Sequence, residues 1–222
     1  MPQLAASILS ADFSNIEDAV LLAENAGADL IHFDIMDGHF VPNLTTGPQL
    51  VASIREKTKL PLDVHLMVEK PAKFIQLFAE AGADWISIHI EASVHLHKDL
   101  HMIKEYEKKT GLVLNPATPI HLMSEIIHEL DYILLMTVNP GWGGQSFIES
   151  CHSKIKNLAH WIKSLKLNAQ IEIDGGIKYD NMEPILREGA DILVVGSGIY
   201  NSNDPHDMVR KIKELMKKFE KR

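Results

Sequence analysis

Four residues carry reactive groups where the surrounding pattern is apolar. His32 and Asp34 lie within Leu30-Ile31-His32-Phe33-Asp34-Ile35, His65 lies within Leu62–Met67, and Asp174 follows Gln170–Ile173. Side chains alternate along a strand, so His32, Asp34 and Met36 share one side, as do His65 and Met67. A lone histidine in a strand reads most simply as a satisfied core group. Aspartates inside apolar strands are different, because burying an unpaired carboxylate costs several kcal/mol. Two imidazoles and two carboxylates together point to a metal site with His32, Asp34, His65 and Asp174 as ligands. Mixed nitrogen and oxygen ligation suits one divalent ion per chain: Zn²⁺, Fe²⁺, Mn²⁺ or Co²⁺.

Glycines form the second feature. Asp174-Gly175-Gly176 and Gly196-Ser197-Gly198 each follow a strand-like run. Either loop alone could be a plain turn; the two together suit a phosphate, whose oxygens accept from backbone N–H groups. A third loop, Asn139-Pro140-Gly141-Trp142-Gly143-Gly144-Gln145, sets three glycines around one aromatic and reads as a cover for a ligand or as a surface loop. Met36, Met67 and Met136 suit either core packing or an apolar cap over the reacting centre. His95, His97 and His101 crowd one helix, and the last two could share a metal. With no acidic third ligand evident, a solvated face is the better reading.

A repeat supplies the elements that must hold these groups. Gly-Ala-Asp recurs at 27–29, 82–84 and 189–191, each time before a strand-like run. Each glycine closes a helix, and the intervals fit multiples of a unit of about 27 residues, the length of one strand and one helix. Filling the gaps predicts eight short strands: Leu4–Ser7, Leu30–Met36, Leu62–Met67, Trp85–Ile90, Gly111–Leu114, Tyr132–Val138, Gln170–Ile173 and Ile192–Val195. Helical patterns, such as Ala72–Ala81, Ile148–Leu165 and His206–Phe219, alternate with them. The fold expected is an α/β (β/α)₈ TIM barrel, forming one domain over 1–222. An open doubly wound sheet would want a glycine-rich turn after the first strand, and Ser7-Ile8-Leu9-Ser10 is not one. In a barrel the four polar residues all fall at the C-terminal strand ends, where barrel chemistry sits.

Bulk properties narrow the partners. The chain of 222 residues has a formal charge of −8, which argues against nucleic acid and anionic membrane while allowing a locally held anion. No run reaches the roughly 18 apolar residues of a membrane span, and Met1–Phe13 does not look like a signal peptide. Cys151 is the single cysteine, read as a small buried residue, and the composition fits a reducing cytoplasm. The tail Lys217–Arg222 reads as a solvated helix end.

Taken together, the chain resembles the ribulose-phosphate 3-epimerase family over nearly its whole length. The resemblance rests on Ala6-Ser7-Ile8-Leu9-Ser10-Ala11-Asp12-Phe13, on His32 through Asn43, on Asp63-Val64-His65-Leu66-Met67, on Met136 through Gln145, on Asp174-Gly175-Gly176 and on Gly196-Ser197. It implies a TIM barrel of the ribulose-phosphate-binding type and interconversion of D-ribulose 5-phosphate and D-xylulose 5-phosphate. It further implies that His32, Asp34, His65 and Asp174 bind the metal, and that Asp34 and Asp174 are the acid/base pair. Ser7 and His65 would touch the sugar. Gly141, Trp142, Gly143, Gly144, Gly175, Gly176, Gly196 and Ser197 would hold the rest of the substrate and its phosphate, and the three methionines would cap the centre. Homodimers or homohexamers are implied as well. Trp142 stands where phenylalanine is common in the family, and Gly198 where alanine is usual; neither removes a chemical group. Rival readings are an epimerase of a ketohexose phosphate such as allulose 6-phosphate, a metal-independent barrel lyase, and a non-catalytic sugar-phosphate binder. The lyases carry Asp-x-Lys-x-x-Asp on a strand, whereas Asp34-Ile35-Met36-Asp37 has no lysine.

Overall fold

A computed structural model describes residues 1–219 and shows a closed barrel. Its parallel strands are β1 (Gln3–Ser7), β2 (Leu30–Met36), β3 (Leu62–Met67), β4 (Trp85–His89), β5 (Lys109–Leu114), β6 (Tyr132–Met136), β7 (Gln170–Asp174) and β8 (Ile192–Val195). Each pairs with the next, and β8 pairs with β1, so no edge is left open. Helices follow the strands: α1 (Ile16–Ala26), α2 (Pro48–Arg55), α3 (Ile75–Glu80), α4 (Leu96–Glu105), α5 (Cys151–Leu165), α6 (Met182–Arg187), α7 (Ser197–Tyr200) and α8 (Pro205–Lys217).

The expected boundaries shift in places. Between β5 and β6 the chain makes two 3₁₀ turns, Ile120–Met123 and Ile127–Glu129, instead of an α-helix. The pattern over Ala72–Ala81 divides into a 3₁₀ turn, Pro71–Lys73, and α3; Pro71, with its fixed φ and no N–H, suits the first position of the turn. Strand β6 ends at Met136, since Thr137 turns its N–H and hydroxyl to the carbonyls of Asp174 and Gly175. Helix α8 starts at Pro205, capped by the Asp204 carboxylate, which accepts from the Asp207 N–H. Of the basic tail, Lys217 closes α8; positions 220–222 lie outside the described residues.

The Gly-Ala-Asp repeat has a physical reason. Gly27 closes α1 at φ 104°, a conformation that suits glycine. The aspartate two residues on then reaches sideways to the preceding strand. Asp29 Oδ2 accepts from Leu4 N at 2.7 Å, Asp84 Oδ2 from Leu62 N at 2.8 Å and Asp191 Oδ2 from Ile171 N at 3.0 Å. Each ties a strand start that would otherwise expose a donor at the barrel floor.

Alternation divides every strand between two cores. Ile31, Phe33 and Ile35 of β2 and Val64 and Leu66 of β3 pack outward with Val20, Ala23, Ile54 and Phe78. Full burial of each large side chain contributes about 1.5–3 kcal/mol. Inward, Ala5, Leu30, Trp85, Tyr132 and Ile192 plug the barrel floor. Above this plug the interior turns polar, with His32, Asp63, His65 and Glu172 all fully buried.

Candidate active site and metal centre

Strand register brings the polar residues together. In the β2–β3 ladder His32 stands opposite Asp63, Asp34 opposite His65 and Met36 opposite Met67. Asp174 enters from the end of β7. His32 Nε2 lies 3.5 Å from Asp34 Oδ1 and 3.9 Å from Asp174 Oδ2. His65 Nδ1 lies 3.4 Å and 3.7 Å from the same two oxygens. One ligand atom from each of the four residues falls within 4.8 Å of every other.

The cluster fits a divalent cation on its own chemistry. His32 Nε2 and His65 Nδ1 are buried and have no hydrogen-bond partner in the protein. Buried polar nitrogens are rarely left so, and a shared cation would engage both lone pairs together with the two carboxylate oxygens. Each imidazole is backed on its other nitrogen, the usual arrangement behind a metal-ligating histidine. His32 Nδ1 meets Asp63 Oδ2 at 2.5 Å, and His65 Nε2 meets His89 Nε2 at 2.8 Å. Asp63 also accepts from the Tyr132 hydroxyl at 3.0 Å. Tyr132 fits inside the barrel because Gly111 on β5 has no side chain; a Cβ there would overlap the Tyr132 ring.

Electrostatics separate the two aspartates. Burial raises Asp34, but the two imidazoles of His32 and His65 beside it more than offset this and hold its pKa well below the ordinary range. For Asp174, burial and then the Asp34 charge act together and push its pKa up to about 7. Burial lowers the His32 pKa, but the carboxylates of Asp63 and Asp34 outweigh this and carry it well above the usual imidazole value. The Glu172 pKa is driven well up by burial and by the Asp63 charge.

A cleft opens above this cluster. Its floor is Ser7, Asp34 and Asp174, and its walls include Met36, Met67 and Met136. Ser7 Oγ donates to Asp34 Oδ2 at 2.7 Å. Gly141, Trp142, Gly143, Gly144, Gly175, Gly176, Gly196 and Ser197 also line the cleft. His32 and His65 lie beneath the floor at zero exposure, with their ring nitrogens turned to carboxylates and, for His65, to His89. Trp142 is about half exposed at the rim, and Gln145 Nε2 closes its loop onto the Asn139 and Trp142 carbonyls. Gly175, at φ 117°, also has a packing reason, since a Cβ there would stand 2.5 Å from Val138 Cγ2. Gly198 has Val195 and the Ile177 carbonyl against it, so even alanine would require a shift.

The other candidates lie elsewhere. His97 and His101 stack in parallel on the exposed face of α4, 6.4 Å between ring centroids, with His101 pairing to Glu105. Among the described residues, groups able to hold a metal occur only inside the barrel. Cys151 is buried, and burial raises its thiol pKa. No helix among the described residues is long and apolar enough to cross a membrane. The reading from sequence did not single out Asp63, Glu172, His89 or Glu91 as functional. The signal was available: Asp63 and Glu172 each stand two residues before a proposed ligand, on the same inward side.

Fold and site together define a barrel enzyme with paired carboxylates above buried imidazoles, opened to solvent between glycine loops. Residues 3–200 match the model of the ribulose-phosphate 3 epimerase family. The ribulose-phosphate 3-epimerase of Aquifex aeolicus is 46% identical over 216 residues, covering 97% of each chain. That of Bacillus subtilis is 46% identical over 214 residues, covering 96% of this chain and 99% of its own. A crystal structure of KGPDC from Streptococcus mutans superposes with a TM-score of 0.75 over 100% of both chains; at 15% identity it speaks to the fold alone. The chain belongs to the ribulose-phosphate 3-epimerase family and is by class an isomerase.

Proposed function

We propose that the protein inverts carbon 3 of D-ribulose 5-phosphate to give D-xylulose 5-phosphate, with the whole chain acting as one barrel domain. The observation that carries the reading is the pairing of Asp34 and Asp174 in one cleft, each with a carboxylate oxygen beside the buried His32 and His65. Inversion next to a ketone needs one group to remove the proton and another to deliver a proton to the opposite face. Asp34, held ionised, is the base for one epimer. Asp174 delivers the proton to the opposite face, and the roles exchange in the reverse direction.

His32, Asp34, His65 and Asp174 would hold one divalent cation, Zn²⁺, Fe²⁺, Mn²⁺ or Co²⁺. When bound, it supplies Lewis-acid stabilisation of the negative charge that develops on the substrate oxygens. Ser7 orients Asp34 through Oδ2 and presents its hydroxyl to the sugar. Met36, Met67 and Met136 exclude water and offer no acidic proton to quench a carbanionic centre. The loop Gly141–Gly144 with Trp142 covers the substrate, and the N–H groups of Gly175, Gly176, Gly196 and Ser197 take the phosphate. Family resemblance and the single buried cysteine also support a homo-oligomer working in a reducing cytoplasm.

Turnover of D-ribulose 5-phosphate, compared with free ribulose and with allulose 6-phosphate, tests this reading. The pentulose phosphate should be preferred, and removing the phosphate should nearly abolish turnover because remote binding energy positions the reacting carbon. Equal turnover of free ribulose would refute the phosphate assignment, and preference for the hexulose phosphate would reassign the substrate.

A further inference from the structure

We propose that His89 and Glu91 are positioning residues that fix the tautomer of His65, leaving its Nδ1 lone pair facing Asp34 and Asp174. The inference rests on the reading that the four-residue cluster holds a divalent cation. Its basis is a chain of contacts running from the buried His65 on β3 through the buried His89 at the end of β4 to Glu91, which reaches the surface in the loop beyond. His65 Nε2 stands 2.8 Å from His89 Nε2, and His89 Nδ1 stands 3.2 Å from Glu91 Oε2. The two rings lie 5.0 Å apart at 26°, so with nitrogens in contact they meet edge to edge, as an N–H···N bond requires.

The direction of every bond follows from the far end. Glu91 Oε1 accepts from the Asn115 N–H at 2.9 Å and from the Thr118 hydroxyl, two donors that favour the ionised carboxylate. An ionised carboxylate only accepts, so His89 Nδ1 carries the proton. His89 is fully buried, with Phe40 packed on its ring at 4.6 Å, and such a setting disfavours an imidazolium. Neutral His89 therefore has its lone pair on Nε2 and accepts from His65 Nε2–H. Neutral His65 is then left with a lone pair on Nδ1, the atom 3.4 Å from Asp34 Oδ1 and 3.7 Å from Asp174 Oδ2. The reverse arrangement would aim an N–H into the cluster and remove one ligand. His32 receives the same service from Asp63 directly, whereas His65 receives it through an intervening imidazole.

The test reads metal affinity and protonation. Apo-protein titrated with Co²⁺ against a chelating indicator should bind about one ion per chain, and His89→Leu and Glu91→Gln should each bind about 10–100-fold more weakly. His89→Gln should recover most of the affinity, because its amide oxygen can accept from His65 while its amide N–H donates to Glu91. Long-range ¹⁵N–¹H spectra of the Zn²⁺-loaded wild type should show protons on His65 Nε2 and His89 Nδ1. Wild-type affinity in both His89→Leu and Glu91→Gln, or a proton on His89 Nε2, would overturn the inference. A wild type that binds no Co²⁺ would instead overturn the four-ligand reading. Should His89→Leu fail to fold by circular dichroism, Glu91→Gln and the wild-type spectra still decide.

Discussion

Ser7 Oγ donates to Asp34 Oδ2 at 2.7 Å, so the two oxygens of one carboxylate face different tasks. Oδ1 turns down toward His32 and His65, and Oδ2 is held at the cleft floor by the serine. A hydrogen bond to a charged group contributes about 1.5–3 kcal/mol. Ser7→Ala should therefore lower kcat/KM by roughly 10- to 150-fold, the kinetic equivalent of that range. Metal content should stay at the wild-type level, since Oδ1 is untouched. Steady-state kinetics beside metal analysis checks this; unchanged kinetics would remove Ser7 from the site.

Binding of the cation should release protons, and the sign follows from Asp174. From the protein groups alone, its pKa is raised to about 7 by burial and by the Asp34 charge. Below that pH the carboxyl is largely protonated and must lose its proton to act as a ligand. His32, raised above the usual imidazole value by Asp63 and Asp34, adds to the same demand. Apparent affinity should rise with pH by up to about tenfold per unit for each proton displaced and should level off above the folded pKa values. Calorimetric titrations at pH 6, in buffers of differing ionisation enthalpy, should show proton release. Enthalpies that do not vary with the buffer would contradict the assignment.

The floor of the barrel offers a prediction about stability alone. Asp84 Oδ2 accepts from Leu62 N at 2.8 Å and from Arg55 Nη1 at 2.7 Å. Asp84→Ala leaves the Leu62 donor and the guanidinium with one partner fewer. Unfolding free energy should fall by about 1–3 kcal/mol, with kcat/KM unchanged because the site lies at the opposite strand ends. Denaturant titration with parallel kinetics distinguishes this from an effect on the site.

Much of the barrel was legible because its grammar is local. Gly-Ala-Asp marks a helix end, a turn and a strand start, and the alternation in Leu30–Met36 puts His32 and Asp34 on one side. The boundaries that moved were set by contacts distant in sequence: Thr137 leaves β6 because the Asp174 and Gly175 carbonyls take its donors. Groups that act through a ligand were harder to read. His89-Ile90-Glu91 carries no distinctive spacing, and its meaning depends on β4 lying beside β3, which aligns His65 with Ser87 and brings His89 within reach. Glu172 has the sequence setting of any acid in a strand; only the closed barrel buries it completely, beside Asp63 and His32.

The central claim is that Asp34 and Asp174 serve opposite faces of carbon 3, and early-time isotope incorporation tests it most directly. Wild-type protein would convert D-ribulose 5-phosphate in heavy water, with both sugars examined by NMR or mass spectrometry at low conversion. Two separate proton carriers predict product carrying deuterium at carbon 3 from the first turnovers, while unreacted substrate keeps its original hydrogen. Product that retains the substrate's own hydrogen at carbon 3 would contradict the assignment, even with epimerase activity intact.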